Sequence, residues 1–205
     1  MEYYIYNIPV FIVSDLADSV SIPDFCAEVE NHIPSRLLQA VEVVYIGKFR
    51  ELQDRNAMYS NGGIYISSDE PTNFDMLEDF IHEVAHSLDT MYGMMIYDDD
   101  LIQEFKGKRQ RLYDILTARD YHVNPLLYSF TEYNKKFDSF LANDVGYPTL
   151  LNLTMGLFVS PYGATSIQEY FANGFEKYFL ENPRTVRKIS PVLYRKIEEI
   201  IDEDS

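Results

Sequence analysis

The sequence predicts an α+β fold, with a small mixed sheet in the first part of the chain and a mostly helical remainder. Three observations predict it. Short runs of β-branched and aromatic residues fill the chain before Asn73. Apolar residues recur at helical spacing from Asn73 onward. No internal repeat, low-complexity stretch or Pro/Gly-rich linker divides the 205 residues. One domain over residues 1–205 is therefore expected, with a sheet subdomain at about 1–93 and a helical subdomain at about 94–205.

The elements follow in order. Tyr3 to Val13 has the composition of a strand. Ser21-Ile22-Pro23-Asp24 opens a short helix, with Pro in its first turn. Pro34 to Ala40 is expected to add a turn or two of helix. Val41 to Ile46 is a strand, and Asn61-Gly62-Gly63 is a turn that leads into the alternating strand Ile64 to Ser67. Pro71-Thr72-Asn73 starts the next helix. Met76, Phe80, Val84, Leu88 and Met91 mark its apolar face, and Gly93 is read as its stop. Further helices are expected at about 99–118, 124–141, 166–180 and 191–201, with a break at Gly146-Tyr147-Pro148.

Composition removes several function classes. The formal net charge is −16 and the pI is about 4.5. No basic stripe is present to neutralise phosphates, so a nucleic-acid partner is not expected. The acidity serves solubility, or it draws in basic substrates. The single cysteine, Cys26, excludes an intramolecular disulfide and a Cys-based zinc cluster. No run approaches the ~20 apolar residues that span a bilayer, so no membrane partner is expected. Met1-Glu2-Tyr3-Tyr4 lacks a basic start, and the apolar segment Ile8 to Val13 is too short for a secretory signal. A monomer in the cytoplasm is expected, of bacterial or bacteriophage origin; in the second case it processes a structural protein or rides in the particle.

The chemistry concentrates at His82-Glu83-Val84-Ala85-His86. Residues four apart on a helix lie one turn above each other on the same face. His82 and His86 can thus offer two imidazole nitrogens to one zinc ion. Glu83 is placed to take a proton from the water that attacks a carbonyl. A lone helical His is most often structural; two at this spacing with this Glu form the H-E-x-x-H pattern, set here inside an amphipathic helix.

A catalytic zinc takes a third protein ligand and keeps one position open. The other histidines, His32 and His122, stand at helix ends, where capping or surface roles suit them. Position 89 is Asp, so the metzincin extension is absent. Glu169 is the best remaining candidate: a carboxylate near the start of an otherwise apolar helix, beside Tyr170, Phe171, Ala172 and Phe175. Read alone, it is more readily a first-turn Glu that favours the helix N-terminus.

At Ser160-Pro161-Tyr162-Gly163 and Glu169-Tyr170-Phe171-Ala172 the chain resembles the anthrax lethal factor-like catalytic domain family, which includes the Pro-Pro endopeptidases. The resemblance extends to His82-Glu83-Val84-Ala85-His86-Ser87-Leu88-Asp89 and to Gly62-Gly63-Ile64-Tyr65-Ile66-Ser67-Ser68, similar to the family's edge strand before the active-site helix. It covers roughly Val41 to Tyr178. It implies a zincin-like fold of the gluzincin type, with His82, His86 and Glu169 as Zn²⁺ ligands and Glu83 as general base. It also implies that the Tyr162 hydroxyl donates to the oxyanion of the tetrahedral intermediate; a packed loop tyrosine is the alternative. The family's pattern carries a second Glu four residues after the third ligand, where this chain has Asn173. Asn can hydrogen-bond a neighbour there but brings no charge. Asp89 is a candidate to orient one of the histidines, against a plain solvated residue near the helix end.

The expected activity is zinc-dependent endopeptidase cleavage of a peptide or protein substrate. The likeness suggests that an extended substrate adds to the strand Ile64, Tyr65, Ile66 and Ser67. Two other classes stay open: a zinc-binding structural or interaction protein that does not catalyse, and a zinc hydrolase of small amides.

Overall fold

The computed structural model describes residues 2–203, which divide into two compact units, 2–93 and 94–203. The first unit is a five-stranded mixed sheet with its helices, and the second is mostly helical, so the α+β expectation holds.

In the first unit, Tyr3–Ile5 (β1) and Ile8–Ile12 (β2) pair antiparallel, with Ile5 opposite Ile8. Residues 3–13 are thus a hairpin and not one strand. Tyr6 takes the left-handed conformation at its turn, with φ 54°. Its hydroxyl donates to the Glu30 and Ile33 carbonyls, both at 2.9 Å, which ties the turn to the end of the helix Ile22–His32 (α1). Val43–Gly47 (β3) and Gly63–Ser67 (β5) continue the sheet in parallel, and Ala57–Ser60 (β4) closes it antiparallel to β5. The order is β1-β2-β3-β5-β4.

That order corrects one expectation. Ile64 to Ser67 is not an edge, because β3 and β4 flank it on both sides. Asn61 (φ 48°) and Gly62 (φ 81°) form a tight left-handed turn that folds Ala57–Ser60 back against it. The edge on that side is β4, a strand the sequence pattern does not reveal.

One sheet face carries Val10, Val44, Ile46, Ile64 and Ile66, all buried. The helix Asn73–Ile96 (α2) buries Met76, Leu77, Phe80, Ile81, Val84, Ala85 and Leu88, and Phe80 meets Phe25 of α1 edge to face at 5.9 Å. Met91, expected on this apolar face, is 48% exposed. Gly93 does not stop α2; its φ is not positive, and the helix runs on to Ile96. Phe11, Tyr45 and Tyr65 stack in a row across β2, β3 and β5 on the other face of the sheet.

The second unit opens with Asp99–Thr117 (α3), whose cap Asp98 accepts from the Leu101 N–H at 3.0 Å. The helix expected over 124–141 is broken. Asn124 and Asn134 both turn their side chains onto following N–H groups, giving a 3₁₀ turn at Pro125–Tyr128 and a fresh start at Lys135–Ser139 (α4). A π-helical turn, Phe140–Val145, follows and ends at Gly146 with φ 83°. Pro148 then opens Tyr147–Leu153 (α5) and does not break it. Ile167–Leu180 (α6), Pro183–Ile189 (α7) and Pro191–Asp202 (α8) complete the unit; α7 was not foreseen. Phe105 and Phe158 pack on Tyr170, and the Tyr170 hydroxyl donates to Glu104, which also accepts the Val192 and Leu193 N–H groups at the start of α8. Among the described residues, no helix is long and apolar enough to cross a membrane.

Candidate functional site

Burial of the apolar face of α2 turns His82, Glu83 and His86 away from the core it shares with α1. The two imidazoles lie on one side with ring centroids 5.0 Å apart and both are half-buried. The spacing of four does what the sequence reading expected of it. Glu83 between them is only 9% exposed. Its Oε2 accepts a 2.6 Å hydrogen bond from the Tyr59 N–H of β4. That distance marks a charge-assisted bond, which holds the carboxylate in one place. Since β4 pairs with β5 through alternate residues, a Tyr59 amide used this way points off the sheet edge.

A pair of carboxyl groups joins the preceding loop to the same helix. Glu70, from the loop before α2, hydrogen-bonds Asp79, three residues before His82. Burial, and then the nearby Glu70 charge, push Asp79 up to about 8, against the opposing pull of His82. Glu70 is raised too, by burial first and then by Asp75. Sequence reasoning missed both. Asp79 had a signal, since i,i+3 spacing places it beside His82; Glu70, in a loop, had none. Asp89 lies half-buried three residues beyond His86.

Ile64 and Ile66 of β5 are core residues, while Tyr65 stacks on Tyr45 and Ser67 alternates with them onto that outer face. Their main-chain groups serve the ladders to β3 and β4, so no open edge exists there for a substrate.

In the second unit Tyr162 stands in a 3₁₀ turn, Pro161–Ala164, and is 37% exposed. The turn is held at both ends. Ser160 Oγ accepts from the Tyr162 N–H at 3.3 Å, and Thr165 returns its own N–H and hydroxyl to the Tyr162 carbonyl at 2.9 and 2.8 Å. The Tyr162 ring rests edge to face against Tyr147 at 6.1 Å, and the Tyr147 hydroxyl donates to Asp138 at 2.9 Å. Burial and that carboxylate push the Tyr147 phenol far up, so it stays protonated and anchored. Tyr162 is thus a half-open side chain on a fixed backbone.

Glu169 is the third residue of α6. Ser166 caps the helix, and its Oγ accepts from the Glu169 N–H at 3.1 Å. Tyr170, Phe171, Ala172 and Phe175 behind it are buried, as the apolar pattern indicated, while Glu169 itself is half-buried. Asn173 is buried one turn on and donates its amide to the Glu169 carbonyl at 2.8 Å. Its side chain therefore braces its own helix, and it brings no second charge.

No protein-family model, no curated protein and no solved structure matches this chain.

Proposed function

We propose that the chain is a zinc-dependent metalloendopeptidase of the gluzincin type, with a zincin-like fold. One observation carries the reading: the His82 and His86 imidazoles lie on one side of α2, ring centroids 5.0 Å apart, with Glu83 between them, and Glu169 is proposed as the third ligand. Two imidazoles and one carboxylate are the donor set of a catalytic zinc, which leaves a fourth position open. The His-Glu order on α2 and the half-open Tyr162 support the same reading.

Zinc held by His82, His86 and Glu169 would supply Lewis acidity for the scissile carbonyl and would lower the pKa of a water towards about 7. The remaining chemistry belongs to side chains. Glu83 takes a proton from the water as its oxygen attacks the carbonyl carbon. As the C–N bond breaks, Glu83 passes that proton to the departing amine nitrogen. Tyr162 donates its phenol O–H towards the carbonyl oxygen while negative charge builds there. The Tyr59 amide keeps the Glu83 carboxylate from swinging away between these two transfers.

The extended substrate adds to β4, not to β5. The outward amide of Tyr59 meets Glu83, so the open edge passes beside the general base. The Tyr59 C=O points the same way as its N–H and is the group that β4 offers to a peptide.

Zinc content and cleavage of a diverse peptide library test the proposal together. Wild type is expected to hold zinc and cut peptides. Glu83→Gln should keep zinc and lose cleavage, and Glu169→Ala should lose zinc. A wild type that holds zinc but cuts no peptide favours a binding protein, and one that cuts only small amides favours the other hydrolase class.

A further inference from the structure

Arg109 of α3 is fully buried, and none of its hydrogen bonds goes to a carboxylate. Its guanidinium instead serves five main-chain carbonyls. Nη2 donates to Leu127 at 2.7 Å and to Phe130 at 3.2 Å, Nε to Tyr128 at 3.4 Å, and Nη1 to Ala164 and, at 3.4 Å, to Thr165. The group lies 4.0 Å from the Phe137 ring centroid and 5.3 Å from that of Phe105. Burial lowers its pKa to about 10, so it stays charged at neutral pH. A buried cation without an acid partner is costly to a fold. What it gains here is the joining of two separate loops.

Both loops reach the first turn of α6. Thr131, next after Phe130, accepts the Ile167 N–H at 2.8 Å. Thr165 holds the Tyr162 carbonyl and is followed at once by Ser166, the cap whose Oγ takes the Glu169 N–H. The backbone that presents Tyr162 and the backbone that presents Glu169 are thus both tied to one side chain. Only a planar fork with five N–H donors can reach such a set; a lysine, with one ammonium, cannot.

We propose that Arg109 is a positioning residue for the metal site: by fixing these carbonyls it sets the direction in which Glu169 and Tyr162 leave the main chain. The proposal rests on the reading of Glu169 as a zinc ligand. Its test is zinc affinity of the full chain by chelator competition, with folding checked by circular dichroism. Arg109→Lys, folded, is expected to bind zinc about tenfold or more weakly, the usual scale for a group that orients a ligand. In a Glu169→Ala background the same substitution should add nothing, since its route to the metal is already gone. Should Arg109→Lys not fold, Phe137→Leu removes the ring beneath the guanidinium and should weaken zinc binding in the same direction, by a smaller factor.

The outcomes separate. If Glu169→Ala holds zinc as tightly as wild type, the ligand assignment falls and the clamp falls with it. If Glu169→Ala weakens zinc but folded Arg109→Lys matches wild type, the clamp alone is overturned. Equal weakening by Arg109→Lys with and without Glu169 also overturns it, because the effect then runs through general packing.

Discussion

The Tyr59 amide donates to Glu83 Oε2 at 2.6 Å, joining the edge strand of the sheet to the residue between the two histidines. A glutamine at position 83 can still accept that hydrogen bond through its amide oxygen. Glu83→Gln is therefore expected to melt close to wild type and to retain zinc, with kcat lower by about 10²–10⁴-fold, the usual share of a general base. Retained cleavage would remove Glu83 from the mechanism.

The Glu70–Asp79 pair predicts a pH dependence in the metal-free protein. Asp79 has its pKa raised from 3.8 to about 8, by burial and then by Glu70. The folded chain therefore holds this proton more tightly than the unfolded chain does. Its contribution to stability is greatest at acid pH and declines as pH rises through the window from 3.8 to about 8, beyond which it is constant. Urea unfolding at pH 5 and pH 8.5 should show wild type losing more stability at the higher pH than Asp79→Asn does. Identical slopes for the two proteins would refute the assignment.

Gly174 sits where α6 meets α8. A β-carbon there would lie 2.3 Å from Leu193 Cδ2 and 3.0 Å from its Cγ. Leu193 is fully buried, so its side chain has no open space to enter. Alanine is the better helix former by about 1 kcal/mol, yet overpacking costs about 1–3 kcal/mol. Gly174→Ala should lower the melting temperature, and Gly174→Ala with Leu193→Ala should recover part of any overpacking strain. A melting temperature at or above wild type would show that the contact relaxes freely.

The parts of this protein that were legible in the sequence are those set by local pattern. Phe80, Val84 and Leu88 define a face, and that face alone turns His82 and His86 to the same side. Ser166 before the apolar run that contains Glu169 marks the start of α6 as well as any cap can. What could not be read depends on partners distant in the chain. Ala57–Ser60 is short and has no alternation strong enough to announce a strand; only the left-handed turn at Asn61-Gly62 and the presence of β5 make it one. Residues 124–141 carry a helical period, but Asn124 and Asn134 offer their side chains to the backbone at two points and interrupt it. Arg109 is one of several basic residues in α3. Nothing local shows that its acceptors are carbonyls 18 to 56 residues away.

In the proposed peptidase, β4 is both the docking edge and the source of the amide that steadies Glu83, so one four-residue strand would carry two traits that selection would otherwise adjust separately. A change at Met58 or Tyr59 that admits a new peptide also disturbs the carboxylate. On this arrangement, breadth of diet and speed are inherited together. A lineage shifting its targets is expected to alter the loops around β4 sooner than the strand itself.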